Sequence, residues 1–285
     1  ISHFNMRAWG LTDKPWTVTA KTDMRIKSDL DKYYYAHGGI GYLSISEQRR
    51  RSAIRLVNAK ELIVSGSLRG KALEAHLDGD LDGANLKGLG ITGSPYMVSA
   101  AAVVDVKGNI SKPYLINATV NADEFKMTEH RGKTIIPLVS GDFIAKANLK
   151  GNDIGGSFNG NINNADLYQL GIVDEPLTTS GSADLTFETN QKDKIYVDGQ
   201  IGSMTIADKK SKYTTSGMTV NVLSTADTTH ATIAGGDFLL KANAQGTYKK
   251  TLNALGSIAK ELKAQIKNKE INQSALKAKL PVASV

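Results

Sequence analysis

The sequence predicts an all-β protein with a C-terminal helix: a long antiparallel sheet built from a repeated unit. Three observations lead there. The phrase GDFIAKANLKG (Gly141 to Gly151) returns as GDFLLKANAQG (Gly236 to Gly246), with seven of eleven positions identical. Apolar and polar residues alternate within each copy, the period of a strand with one apolar and one polar face. Glycine is plentiful at 27 and proline scarce at 6, while the apolar set is mostly Ala, Val, Leu and Ile with only 6% aromatics. That composition suits many strands joined by tight turns.

A weaker copy, KELIVSGSLRG (Lys60 to Gly70), comes first, and there Leu62, Val64 and Leu68 share one face. Its match to the Gly141 copy runs on without a gap. HLDGDLDGANLKGLGI (His76 to Ile91) lies over SFNGNINNADLYQLGI (Ser157 to Ile172), and Pro95 then meets Pro176. The offset of this duplication exceeds the period of common helical repeats, so each unit must hold several strands. Further strands are expected around Ala102, Val104 and Val106, around Ile116, Ala118 and Val120, around Ala183, Leu185 and Phe187, and around Met218, Val220 and Val222. In the second copy Phe143, Ala145, Ala147 and Leu149 share a face; in the third, Phe238, Leu240, Ala242 and Ala244 do. The clusters DGDLDG, NGNINN and KGN read as turns. From about Thr251 the period becomes helical, with Leu252, Leu255, Ala259, Leu262 and Ile266 on one stripe, Lys260, Lys263 and Lys267 on another, and Pro281 as a stop. Residues 1–248 therefore read as a repetitive sheet with units starting near 60, 141 and 236, and 249–285 as a basic amphipathic helix and tail.

Composition removes several function classes. With no cysteine, a disulfide scaffold and thiolate metal sites are excluded. The chain starts at Ile1 without an initiator Met, as an internal piece or a processed form would, and no apolar run is long enough for a spanning helix. The net charge of +7 is scattered apart from Arg49 to Arg51 and the Lys-rich C terminus, which reads as a solvated surface. Asp78, Asp80 and Asp82 resemble the start of a calcium loop, but Leu89 stands at the twelfth position where a bidentate Glu is required, and the aligned copy has Asn159, Asn161 and Asn163. The histidines His3, His37, His76, His130 and His230 show no metal-binding spacing, GGSFNG is not a nucleophile elbow, and no phosphate-loop pattern occurs. Asp123 with Glu124 reads as a turn. Tyr33 to Tyr35 lacks the basic interleaving of a nucleic-acid platform. No catalytic residue, metal site, cofactor or nucleic-acid partner is expected.

The GDF..KA...G strand phrase, the Lys-rich LGSIAKELKAQIKNKEINQSALKAKLP tail and the L.G.....L..LGI and SGSADLTFE phrases together resemble the TamB/AsmA-like family of Gram-negative envelope proteins. The resemblance covers most of the chain and rests on diffuse strand phrases; members are far longer. It implies a taco-shaped antiparallel sheet with a hydrophobic concave groove, inner-membrane anchoring through an N-terminal segment missing here, a periplasmic location, and roles in moving phospholipid to the outer membrane and, with an outer-membrane barrel partner, in assembling outer-membrane proteins. It implies no catalytic residues. The residues expected to line the groove and meet phospholipid acyl chains are Leu62, Val64, Leu68, Phe143, Ala145, Ala147, Leu149, Phe238, Leu240, Ala242 and Ala244. Small residues there, with Gly66, leave room that a tightly packed sandwich core would fill. The alternatives are a structural β-repeat or adhesin-like envelope protein with no lipid path, and a polysaccharide-acting enzyme, which would need an acidic pair on an exposed groove.

Overall fold

The computed structural model describes residues 1–10, 12–50, 52–111, 114–236, 238–247 and 283–284. In chain order the strands are β1 (Phe4–Asn5), β2 (Trp16–Ser28), β3 (Tyr33–Gln48), β4 (Ala53–Arg69), β5 (Ala72–Asn85), β6 (Tyr96–Asn109), β7 (Leu115–Arg131), β8 (Thr134–Lys150), β9 (Asp153–Asp166), β10 (Thr178–Thr189), β11 (Ile195–Ile201), β12 (Thr205–Ala207), β13 (Lys212–Thr214), β14 (Met218–Ser224), β15 (Thr228–Gly235), β16 (Phe238–Gln245) and β17 (Ala283–Ser284). Among the described residues one short helix, α1 (Leu86–Leu89), interrupts them. The fold is almost entirely β, as its alternation demands. The amphipathic helix expected from about Thr251 lies outside the described residues, as does Arg51; of the tail only Ala283 and Ser284 are described, in β17, opposite Ala244 and Asn243.

Two compact units form. Unit 1 comprises Ile1–Gly151, Phe158–Ser182 and Met204–Thr214; unit 2 comprises Asn152–Ser157, Ala183–Ser203 and Thr215–Val285. In unit 1, β2 to β8 form an antiparallel meander in which each strand pairs with the next. Its strands are long, 13 residues in β2 and 17 in β4, β7 and β8. At its first edge β2 pairs with β1 only at Val18 and Thr17. In unit 2, residues 183–189 of β10 pair with β11, β11 with β14, β14 with β15 and β15 with β16, all antiparallel.

The turns are tighter than the Gly, Asn and Asp clusters suggested. β4 and β5 are joined through Gly70 (φ 59) and Lys71, and β7 and β8 through Gly132 (φ 64) and Lys133. A glycine with positive φ at the first central position is what a two-residue hairpin needs. DGDLDG lies inside β5 and NGNINN inside β9, so neither is a turn. Their glycines answer a different need. A Cβ on Gly79 would stand 2.8 Å from the Glu61 carbonyl oxygen and 2.9 Å from Leu62 Cα, and one on Gly160 would stand 2.5 Å from the Asp142 carbonyl oxygen. These are sites where the neighbouring strand comes too close for a side chain. Asp123 and Glu124 likewise lie within β7, not in a turn.

The close approaches coincide with breaks in register. β4 slips against β5 between Lys60 and Ile63, where Glu61 has φ 54; β7 slips against β8 between Ala122 and Phe125, where Glu124 has φ 52. The Glu124 N–H, freed from the ladder, donates to Asp142 Oδ1 at 2.7 Å. Such bulges bend a strand and sharpen its twist. Two further slips, at Ile45/Ser46 and Met127/Thr128, leave Leu56 and Leu138 opposite no partner, and both are fully buried.

The repeated LGI phrases also have a structural role that the alternation did not reveal. After α1, the Gly90 N–H donates to Lys87 O (3.0 Å) and the Ile91 N–H to Leu86 O (2.8 Å), with Gly90 at φ 81. After β9, the Gly171 N–H donates to Tyr168 O (3.0 Å) and the Ile172 N–H to Leu167 O (2.9 Å), with Gly171 at φ 72. Both are glycine-terminated caps of the Schellman type. Asn85 and Asp166 begin them, each accepting from a backbone N–H three residues on, those of Gly88 and Gln169.

Candidate functional site

Residues directly opposite in neighbouring strands point to the same face, so register defines what each face of unit 1 carries. One row contains Met24, Gly38, Val64, Leu77, Val104, Val120 and Ala145; the next contains Ile26, Ala36, Gly66, Ala75, Val106, Ala118 and Ala147; a third contains Ser28, Tyr34, Leu68, Leu73, Gly108, Ile116 and Leu149. All are apolar apart from Ser28 at the edge and the tyrosine hydroxyl. The intervening rows belong to the other face and are polar, as in Arg25, His37, Ser65, His76, Asp105, Thr119 and Lys146.

The apolar face is covered unevenly. Near the bulges Leu62 is 5% exposed and Ala122 3%, and Phe143 lies between Phe125 (ring centroids 5.2 Å apart) and Phe158 (5.4 Å). Toward the hairpin ends the face opens. Ile26 is 74% exposed, Tyr34 is exposed, and so are Ala75 and Ala147. A depression of about 250 Å³ lies there, lined by Ile26, Tyr34, Ala36, Leu68 and Leu73 over a floor that includes Gly66. It exists because glycine and alanine occupy the middle row, while larger side chains stand on either side.

Among the residues expected to line a groove, Leu62, Val64, Leu68, Phe143, Ala145, Ala147 and Leu149 thus fall in adjacent rows of one face of unit 1. Leu240, Ala242 and Ala244 belong to unit 2, opposite Ile233, Ala231 and Thr229. There Ala242 is 8% exposed and Ala244 7%, next to a buried Ser224–Thr229 hydroxyl pair at 2.7 Å. The Phe238 side chain lies outside the described residues. The alternate positions face away: Lys146 and Lys241 are exposed, together with Ile63 (51%), Ile144 (42%) and Leu239 (59%), the same position in each copy of the repeated phrase.

The polar face gathers residues that sequence spacing could not connect. His37 and His76 flank Ser65 in one row, and His76 Nδ1 and Asp105 Oδ1 share a hydrogen bond of 2.8 Å. The order Ser65, His76, Asp105 resembles a hydrolytic arrangement. Ser65, however, sits mid-strand between two paired neighbours, where the backbone N–H groups belong to the ladders and none is free to stabilise an oxyanion. In the acidic run of β5, Lys60 Nζ lies 3.2 Å from Asp82 Oδ1, and the Asn58 amide donates to Asp82 Oδ2 at 3.3 Å. The hydrogen bond to Asp82, reinforced by its charge, raises the Lys60 ammonium above its ordinary range. The lysine thus supplies the positive charge a metal ion would bring. Among the described residues no group of three or more His, Asp or Glu side chains could hold a metal ion, and no helix is long and apolar enough to cross a membrane. Tyr34 points to the apolar face while Tyr33 and Tyr35 point to the polar one, so the three rings form no common platform. Comparison with family models, curated proteins and solved structures returns no match to this chain.

Proposed function

We propose that the apolar sheet faces bind phospholipid acyl chains, and that the chain is part of a periplasmic bridge carrying phospholipid between the inner and outer membranes of a Gram-negative envelope. In this reading the repeated strand phrase extends a hydrophobic groove, an outer-membrane barrel is the partner at one end, and an anchor in the inner membrane serves the other. Assembly of outer-membrane proteins by the same bridge belongs to the same proposal. The observation that carries it is the row Ile26, Ala36, Gly66, Ala75, Val106, Ala118 and Ala147: a continuous apolar strip of mostly small residues, of which Ile26, Ala75 and Ala147 are exposed and the rest half-buried. Each methylene laid on such a surface gains about 0.8 kcal/mol when fully removed from water, so a single acyl chain would supply substantial affinity. A structural repeat with no ligand would be expected to fill this row with large side chains.

The test places a photo-reactive residue at Val106, on the apolar face, and another at Lys146, on the polar face. Crosslinks to phospholipid in cells at Val106 and none at Lys146 support the reading. Ala147→Asp, at an exposed position, should leave thermal melting nearly unchanged while lowering co-purified phospholipid. Lipid crosslinking equal at both positions, or none at either, rejects it and leaves the structural-repeat alternative.

A further inference from the structure

The hairpin between β2 and β3 contains a residue that its own geometry does not call for. Leu30 has φ 62 and is 85% exposed. Left-handed backbone is unfavourable for a leucine and natural for Gly or Asn. The turn is rigidly built: Asp29 Oδ1 accepts from the N–H groups of Asp31, Lys32 and Tyr33 at 3.0, 2.9 and 2.8 Å, the Asp29 N–H donates to Tyr33 O, and the Leu30 N–H donates to Ser28 Oγ at 2.8 Å. Unit 2 contains the same turn. Asn190 Oδ1 accepts from Lys192, Asp193 and Lys194, and the next residue has φ 62 as well, but it is Gln191. The fold therefore accepts a polar residue at this place, and the exposed leucine is left without a structural reason.

The neighbouring tips at the same end of unit 1 continue the pattern. Register brings the turns after β2, β4 and β6 to one end of the sheet, about 10 Å apart from one to the next. The first presents Leu30 and Lys32, the second Arg69 and Lys71, the third Ile110 (43% exposed), Tyr114 (40%) and Leu115 (46%). Lys150 follows at the end of β8. Asp29 and Asp31 lie at the first tip, and both are engaged: the Asp29 carboxylate is turned into its own hairpin, and Asp31 lies 3.9 Å from Lys32 Nζ; the exposed Asp153 follows Lys150 across its turn. Aliphatic side chains, a tyrosine and long cationic side chains at one level are the chemistry of a bilayer interface, where the apolar tips enter and the cations remain at the headgroups.

We propose that this end of unit 1 docks on an anionic lipid bilayer, with Leu30, Ile110 and Tyr114 inserted at the interface and Lys32, Arg69, Lys71 and Lys150 against the headgroups. The inference stands apart from the acyl-chain reading of the sheet face, because the tips are distinct from the open row and a surface can be bound without a lipid being extracted. The chain has no cysteine, so single positions can be labelled in the intact protein. Leu30→Cys with an environment-sensitive dye should brighten and shift to the blue on adding vesicles of phosphatidylglycerol and phosphatidylcholine in equal parts. Vesicles of phosphatidylcholine alone should leave it nearly unchanged. Each cation near an anionic surface is worth about fivefold in binding, so adding Arg69→Glu and Lys71→Glu should raise the half-saturating lipid concentration more than tenfold. A dye at Ile91→Cys, at the opposite end of the strands and also exposed, controls for attachment through other basic segments. A response at Leu30 no larger than at Ile91, an equal response to neutral vesicles, or no effect of the charge reversals overturns the proposal. Val106 crosslinking to phospholipid is read separately, so the two ideas fail independently.

Discussion

Gly66 and Gly79 lie on the same face of unit 1 and look alike in sequence, yet replacing each with alanine should move stability in opposite directions. A methyl on Gly79 would sit 2.8 Å from the Glu61 carbonyl oxygen and 2.9 Å from Leu62 Cα, both backbone atoms, and the residue's φ of 150 is one that L side chains rarely adopt. Backbone strain of this kind costs about 1–3 kcal/mol, and the clash can be relieved only by opening the ladder beside the bulge. A loss of about 3 kcal/mol lowers the melting temperature by roughly 6–12 °C for a unit of this size. At Gly66 the nearest atom to the added methyl is the Glu74 carbonyl oxygen at 3.6 Å, an ordinary contact. There the substitution removes the conformational freedom of glycine, a gain of roughly 0.5–1 kcal/mol. Thermal and urea denaturation of the two variants measures both signs. A Gly66→Ala loss as large as that of Gly79→Ala, or a neutral Gly79→Ala, would refute the assignment of one glycine to close approach and the other to an open floor. Gly66→Leu extends the contrast to function: it should fill the depression and reduce bound phospholipid with little effect on melting.

The Asp29 carboxylate is held below the ordinary carboxylate range by the N–H groups of Tyr33 and then Asp31. Its stabilising effect is therefore complete above the unfolded-state value and is lost as pH falls below about 4 through the lower folded-state value; Asp29→Asn should keep the turn, as Asn190 does in unit 2, and remove that acid-sensitive component from a pH series of melting curves. Leu56→Ala, at a fully buried position that α1 covers through Gly88, should cost about 2–5 kcal/mol in urea unfolding, whereas Ile63→Ser, at a position 51% exposed, should change stability by less than about 1 kcal/mol. Calcium should bind the β5 acidic run weakly because Lys60 already neutralises Asp82; calorimetry that finds a micromolar site in the wild type, lost in Asp80→Asn, would contradict this.

The nearly all-β, antiparallel character of the fold was legible because alternation is a local property. Each expected strand around Ala102, Ile116, Phe143, Ala183 and Met218 lies within β6, β7, β8, β10 and β14. What the sequence concealed depends on neighbouring strands. Glycine in a polar cluster signals either a turn or a close approach, and only the opposite strand decides which; hence DGDLDG and NGNINN look like turns in sequence although they lie in β5 and β9. The bulges at Glu61 and Glu124 put glutamates at positive φ, which no propensity announces. The helix α1 was hidden in a phrase whose Asn85 and Gly90 are capping signals in hindsight. The pairing of His76 with Asp105 joins residues 29 apart in sequence through the β5–β6 register.

Burial shows the same limit most directly. Ala147 and Ala242 hold the same place in the repeated phrase, each between a lysine and an asparagine. Ala242 is 8% exposed, opposite Ala231 on a paired strand, whereas Ala147, opposite Ala118, is exposed. Both have alanine across the ladder and both face the apolar side, so neither sequence nor pairing accounts for the difference. The difference lies in burial alone: Ala242 is covered, and Ala147 is open. A strand phrase can thus be copied with its alternation intact while its surroundings change from closed to open. Copying preserves which face is apolar, and the surroundings determine whether that face serves as core or stays open. The row through Gly66 and Ala147 belongs to the second kind, and the substitutions that separate the two, Ala147→Asp tolerated and Ala242→Asp destabilising by several kcal/mol, act on one residue type in one repeated phrase.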